Sequence, residues 1–173
     1  RVLSTNEKTK LAFPEIKLGI FPGFAGTIRA PKLIGLVNAL DLILTGKNVD
    51  ARKAYKINLA DAIFDNAQKE FMLEEFVNNA INKNLGTRKS FYLLNYKPLN
   101  EIIFKRTLKS LEDKVNAEFK APFVALEVIK NTINEKDLET AINIEATEFS
   151  KISITKESKN LIKLFFLFEK LNK

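Results

Sequence analysis

Apolar residues at helical spacing dominate this chain and leave little room for a sheet. Leu36, Leu40, Ile43 and Leu44 fall on one helix face, and Gly46 stands just past them as a stop. Asp50 is placed to cap a short helix over Ala51–Ile57. Asp65 or Asn66 can open a long helix with apolar positions at Phe71, Leu73, Phe76, Val77, Ala80 and Ile81. Beyond an irregular stretch at 85–97, which holds Gly86, Tyr92 and Tyr96, the spacing predicts helices over 98–119, 122–134 and 137–149, the last capped by Asp137. A final helix starts after Ser153 or Thr155, carries Glu157 in its first turn and runs to the end. Strand signals are confined to Val2-Leu3, Leu11-Ala12-Phe13 and Ala62-Ile63-Phe64. The expected fold is mostly α with a short β contribution at the N-terminus.

With 173 residues, 46% of them apolar, the chain can bury one real core. No run approaches the roughly 18 apolar residues of a membrane span. Leu161–Leu171 is too short for one and is broken by Lys163, Glu169 and Lys170. Cysteine and histidine are both absent. That removes disulfides, thiolate ligands, the Ser-His-Asp triad and nearly every zinc site, so no metal is expected. Acid–base chemistry must rest on carboxylates, Lys or Tyr. The formal charge of +7 would suit a polyanion, either nucleic acid or the phosphates of coenzyme A. The lysines are scattered, however, and no nucleic-acid motif is present. Solvated helix faces account for the charge more simply, and no nucleic-acid partner is expected. Phe165, Phe166 and Phe168 could line an acyl pocket. Stripes of this kind more often pack against a core or a neighbouring domain, and that is the expectation here. Tyr92 and Tyr96 signal only ordinary packing.

The segment Phe13–Arg29 carries the chemistry. Glu15 stands ahead of a loop containing Pro22, Gly23, Phe24 and Gly26. Glycines let backbone N–H groups approach a ligand closely, and Pro22 suits the first position of a helix. A carboxylate facing a helix N-terminus can hold a polarised water. Such a turn is more commonly structural, and both uses fit the residues.

The stretch from about Leu11 to Phe64 resembles the crotonase superfamily of enoyl-CoA hydratases and isomerases. The resemblance rests on Pro14-Glu15, Lys17-Leu18-Gly19-Ile20, Pro22-Gly23-Phe24 with Gly26, and Arg29-Ala30-Pro31-Lys32-Leu33-Ile34-Gly35. It continues through Ala39–Lys47, Asp50–Ala54 and Asn58–Asp61, and more thinly through Ala121–Leu126 and Thr155–Leu161. The match is closest to the branch of alpha subunits of the bacterial multifunctional fatty-acid oxidation complex. One position departs from the family pattern. Ala25 stands where a Gly-Gly pair is usual, which matters only if residue 25 needs positive φ or close backbone approach.

The resemblance implies a C-terminal portion of a crotonase-like fold, with 1–64 as part of that core and 65–173 as helices leading toward a dehydrogenase domain. It implies a coenzyme A thioester as substrate and no resident cofactor in this chain, NAD belonging to the dehydrogenase domain. It also implies a thiolase beta subunit as partner, scope for homo-oligomers, and the bacterial cytoplasm. In the family two glutamates hold the attacking water and two backbone N–H groups hold the thioester oxygen. Glu15 matches the second glutamate, and Gly23 matches the glycine whose N–H helps hold the water. The first glutamate and both oxyanion donors fall upstream of Arg1. The chain therefore reads as a piece of a longer protein, inactive on its own, because one lost oxyanion donor already costs about 3–4 kcal/mol. The alternatives are a non-catalytic helical assembly module derived from such an enzyme and, with no motif to support it, a basic nucleic-acid-binding domain.

Overall fold

The computed structural model describes residues 1–82 and 92–172. In chain order its elements are β1 (Val2–Ser4), β2 (Lys10–Leu11), α1 (Gly26–Ile34), α2 (Leu36–Thr45), β3 (Val49–Asp50), α3 (Ala51–Lys56), β4 (Ala62–Phe64), α4 (Lys69–Ile81), α5 (Leu99–Lys114), α6 (Ala121–Thr132), α7 (Leu138–Ser153) and α8 (Lys156–Leu171). The fold is mostly helical with a small β contribution, as the spacing predicts. It falls into two compact units: Arg1–Leu11 with Asn48–Phe91, and Ala12–Lys47 with Tyr92–Lys173.

In the first unit β1 and β4 pair in parallel, Val2 opposite Ala62 and Ser4 opposite Phe64. The strands β2 and β3 pair antiparallel, Leu11 opposite Val49. Asp50 caps α3 by accepting the Lys53 N–H at 2.7 Å. Asp65 accepts the Ala67 N–H, but it opens a 3-10 turn (Asn66–Gln68), and α4 begins only at Lys69. The helix α4 buries none of its residues. Its expected apolar face is only partly covered by the described residues: the Phe76 ring meets Phe64 edge-on at 6.1 Å, Leu73 lies beside Val2, Leu3 and Phe64, and Phe71 and Ile81 stay exposed.

The second unit holds the larger core, built on Phe21, Ile28, Ile34, Leu42, Leu126 and Ile129. The helix α1 packs on α2 and α6, and α6 packs on α7. Gly46 ends α2 with φ 59°, as its position in the sequence predicts. Between α1 and α2 the chain breaks at Gly35. Asn95 secures that break, accepting the Leu36 N–H and donating to the Pro31 carbonyl. Residues 85–91 of the expected irregular connection lie outside the described residues. Within the remainder, the Tyr92 hydroxyl donates to the Leu33 carbonyl at 2.9 Å.

Two helix ends differ from the spacing. The helix α5 stops at Lys114 rather than 119, because Asn116 folds an Asx turn by accepting the Glu118 N–H at 2.9 Å. The helix α7 runs to Ser153 rather than 149, since nothing breaks it before Thr155, whose hydroxyl caps α8. The aromatic stripe of α8 does not join the core, and Phe166 is 59% exposed. The core half of that expectation is therefore corrected. Burial in α8 is confined to its first turn, at Ser158, and every residue from Lys163 to Asn172 is exposed.

Candidate functional site

Glu15 is the second residue of a 3-10 turn, Pro14–Leu18, that opens on proline, the one residue that needs no N–H partner there. Gly19 closes the turn at φ 71°, and the Ile20 N–H returns to the Glu15 carbonyl at 3.3 Å. These bonds fix the backbone from which the Glu15 side chain projects. Its Oε2 is buried, and nothing among the described residues donates to it. A buried acceptor left unpaired costs about 1–3 kcal/mol. An oxygen in that state is suited to take a proton-bearing ligand.

Phe21 follows, fully buried and edge-on to Phe149 of α7 at 5.6 Å. Pro22 is also buried, but it does not start a helix. The helix α1 begins at Gly26, after a turn through residues 23–25. Pro22 instead packs on Gly26, where a Cβ would stand 2.4 Å from the proline Cβ. The expectation that Pro22 occupies the first helical position is corrected accordingly. The cause is a cap that comes from outside the segment. Ala25 precedes α1 and has no side-chain oxygen to offer, so the cap cannot be local.

Glu145 supplies it from α7. Its Oε1 accepts the Ala25 N–H at 2.6 Å, and its Oε2 accepts the Thr27 N–H at 3.1 Å and the Thr27 hydroxyl. A carboxylate at a helix N-terminus also meets the positive end of the helix dipole. Ala25 sits at φ 57°, so the departure from glycine at this position falls on a left-handed residue and does matter. Arg29 ties the outer side, donating to the Phe24 carbonyl at 2.6 Å while the Phe24 ring is 92% exposed. Phe149 covers Gly23 so closely that a Cβ there would stand 2.5 Å from its Cδ2. The Gly23 N–H has no acceptor among the described residues.

The structure thus gathers Pro22, Gly23 and Gly26 in one loop braced by α7. Glu15 lies on the same stretch, in the 3-10 turn Pro14–Leu18 that precedes Gly19–Phe21 and the loop, with no hydrogen bond to that loop's N–H groups among the described residues. Sequence reasoning missed Glu145, Phe149 and Thr27. A signal existed in the stripe Ala141, Glu145, Ile152, which places one acid on an otherwise buried helix face. Asp137 opens that helix. Hydrogen bonds from the Thr140 hydroxyl and N–H hold its carboxyl below the usual range. Among the described residues no cluster of acidic side chains could hold a metal ion, and no helix is long and apolar enough to cross a membrane.

The family model described as enoyl-CoA hydratase/isomerase matches residues 1–163. A fatty acid oxidation complex subunit alpha from Vibrio cholerae is 36% identical over 179 residues, covering 100% of this chain and 25% of that protein. The subunit of the same name from Vibrio parahaemolyticus is 34% identical over 177 residues, with the same coverage. The chain spans about a quarter of the length of the curated relatives it matches. Among solved structures, a putative enoyl-CoA hydratase from Streptomyces avermitilis superposes with a TM-score of 0.53 at 19% identity, over 93% of this chain and 45% of that one. That likeness is one of fold.

Proposed function

Since the chain belongs to the enoyl-CoA hydratase/isomerase family, we propose that it carries half of a site that adds water to a 2-enoyl-CoA thioester. In this reading the water oxygen goes to C3, a partner carboxylate takes one of its protons, and Glu15 delivers a proton to C2. The Gly23 N–H holds the water. In double-bond isomerisation the same carboxylate would carry a proton between C2 and C4. The observation that carries the reading is the buried, unpaired Oε2 of Glu15, on the 3-10 turn that precedes a braced Pro-Gly loop.

In this reading the first glutamate and the oxyanion donors come from other parts of a longer protein, the chain spanning about a quarter of its curated relatives. We therefore assign 1–64 to the crotonase-like core and 65–173 to helices on the way to a dehydrogenase domain, where NAD would act. The thiolase beta subunit would be a partner of the whole protein. The 173-residue polypeptide alone should not turn over. A Glu15→Gln variant of the full-length gene product should lose about 100- to 10,000-fold in crotonyl-CoA hydration, the usual contribution of a general acid–base group. Full activity in that variant, or useful turnover by residues 1–173 alone, would refute the roles assigned.

A second reading, an assembly module without chemistry, is favoured by one observation. The helix α8 turns Leu164, Phe165, Phe168 and Leu171 outward at helical spacing. Acyl-CoA binding separates the two readings, because only the first requires it.

A further inference from the structure

We propose that Glu145 is a positioning residue for the hydration site, fixing through Ala25 and Thr27 the loop that presents the Gly23 N–H. The inference rests on the hydration reading of Glu15 and Gly23.

Glu145 is 1% exposed, in the middle of the buried stripe of α7. Among the described residues no Lys or Arg pairs with it. A carboxylate taken out of water without a cation is costly, and an apolar residue of similar size would generally serve packing as well or better. Three donors compensate it here, and every one belongs to residue 25 or 27. The carboxylate is therefore matched to the loop rather than to the core.

The loop needs that hold. Ala25 is left-handed at φ 57° despite its Cβ, so on its own it would relax toward ordinary backbone angles. The bond from its N–H to Glu145 opposes that relaxation. One helical turn further along α7, Phe149 closes over Gly23. Two side chains on one helix face thus grip the loop at 23, 25 and 27. The peptide plane that carries the Gly23 N–H lies at the start of this turn, and its direction follows the gripped residues. Displacing a positioned group by about 1 Å can cost on the order of 100-fold in rate.

The test uses the full-length gene product with crotonyl-CoA and compares Glu145→Gln, Thr27→Val and Glu15→Gln. An amide cannot accept where the carboxylate takes donors at both oxygens. Glu145→Gln should lower kcat about 10- to 100-fold with KM nearly unchanged. It should also speed amide exchange at Ala25 and Thr27 but not within α2. Adding Ala25→Gly should restore part of kcat, because glycine keeps the left-handed turn unaided. That rescue would not follow from a role in packing alone. Should Glu145→Gln fail to fold, Thr27→Val decides, with an expected loss of several-fold in kcat and faster exchange at the same amides. Wild-type kcat and exchange in the folded loop variants overturn the inference. If Glu15→Gln abolishes turnover while the loop variants stay fully active, the positioning role alone is wrong. If Glu15→Gln is fully active, the hydration reading itself has failed.

Discussion

Asn95 accepts the backbone N–H of Leu36 at 2.8 Å across 59 residues of sequence, and its amide nitrogen reaches the Pro31 carbonyl at 2.8 Å. One buried side chain thus satisfies both sides of the break between α1 and α2. Removing it as Asn95→Ala leaves a buried N–H unpaired and should cost about 2–3 kcal/mol in urea unfolding. The near-isosteric Asn95→Asp should cost as much, because its second oxygen would face the Pro31 carbonyl. An aspartate variant as stable as the parent would show that this amide geometry does not matter.

Gly23→Ala puts a methyl group 2.5 Å from Cδ2 and 2.8 Å from Cγ of Phe149, so the ring must move. Overpacking of this kind costs about 1–3 kcal/mol. The penalty should shrink in a Phe149→Leu background. A double-mutant cycle by chemical denaturation reads the coupling, expected at about 1 kcal/mol or more. Strict additivity would place the clash elsewhere.

Ala25→Gly should stabilise the fold. The left-handed conformation costs an alanine about 1–2 kcal/mol, and the extra freedom of glycine in the unfolded chain returns about 0.4–1 kcal/mol of that. The net gain expected is about 0.5–1 kcal/mol, visible as a rise in Tm. A lower Tm would mean that the Ala25 methyl group makes packing contacts that outweigh its backbone strain.

Asp137 titrates with folding. Thr140 bonds hold its carboxyl below the unfolded value, so the folded state binds its proton less readily than the unfolded chain. Its contribution is present in full above the ordinary aspartate range and is lost as pH falls through the folded pKa. Asp137→Asn should therefore flatten the acid limb of stability against pH and leave the neutral region parallel to that of the parent. Carboxyl chemical shifts recorded between about pH 2 and 6 give the folded pKa directly, with the unperturbed value near 3.9 as reference.

The outward face of α8 should make the 173-residue polypeptide associate. Leu171 is 80% exposed at the end of a stripe that includes Phe168. Sedimentation velocity should show mass rising with concentration, and Phe168→Lys with Leu171→Lys should restore a single monomeric species. A parent chain that stays monomeric at high concentration would mean that this face does not attract its own copy.

Helix positions were legible because they are written locally. Gly46, Asp50, Asp137 and Thr155 act within a few residues of themselves, and each ends or caps the helix expected of it. The errors at 114 and 153 also have local causes, but weaker ones. An Asx turn at Asn116 cut one helix short, and the lack of a breaker before Thr155 let another run on. What surrounds the candidate site was not legible in the same way. The start of α1 depends on an oxygen of Glu145 that lies 120 residues from Ala25, and no window on the sequence spans that distance. The exposure of α4 and α8 was hidden for a related reason. Periodicity shows that a face is apolar, and it does not show what covers that face.

The bond between α7 and the Pro-Gly loop also sets an order of events in folding. Closing a contact of such long sequence separation is entropically late compared with forming either helix. During synthesis, residues 13–29 leave the ribosome long before residue 145 does, so for most of that time the loop has no cap. Glu15 and Gly23 are present in the early chain, but the shape that relates them is not. The loop is therefore completed from its C-terminal side, and truncations that remove α7 should spare the early helices while dissolving the turn ahead of α1.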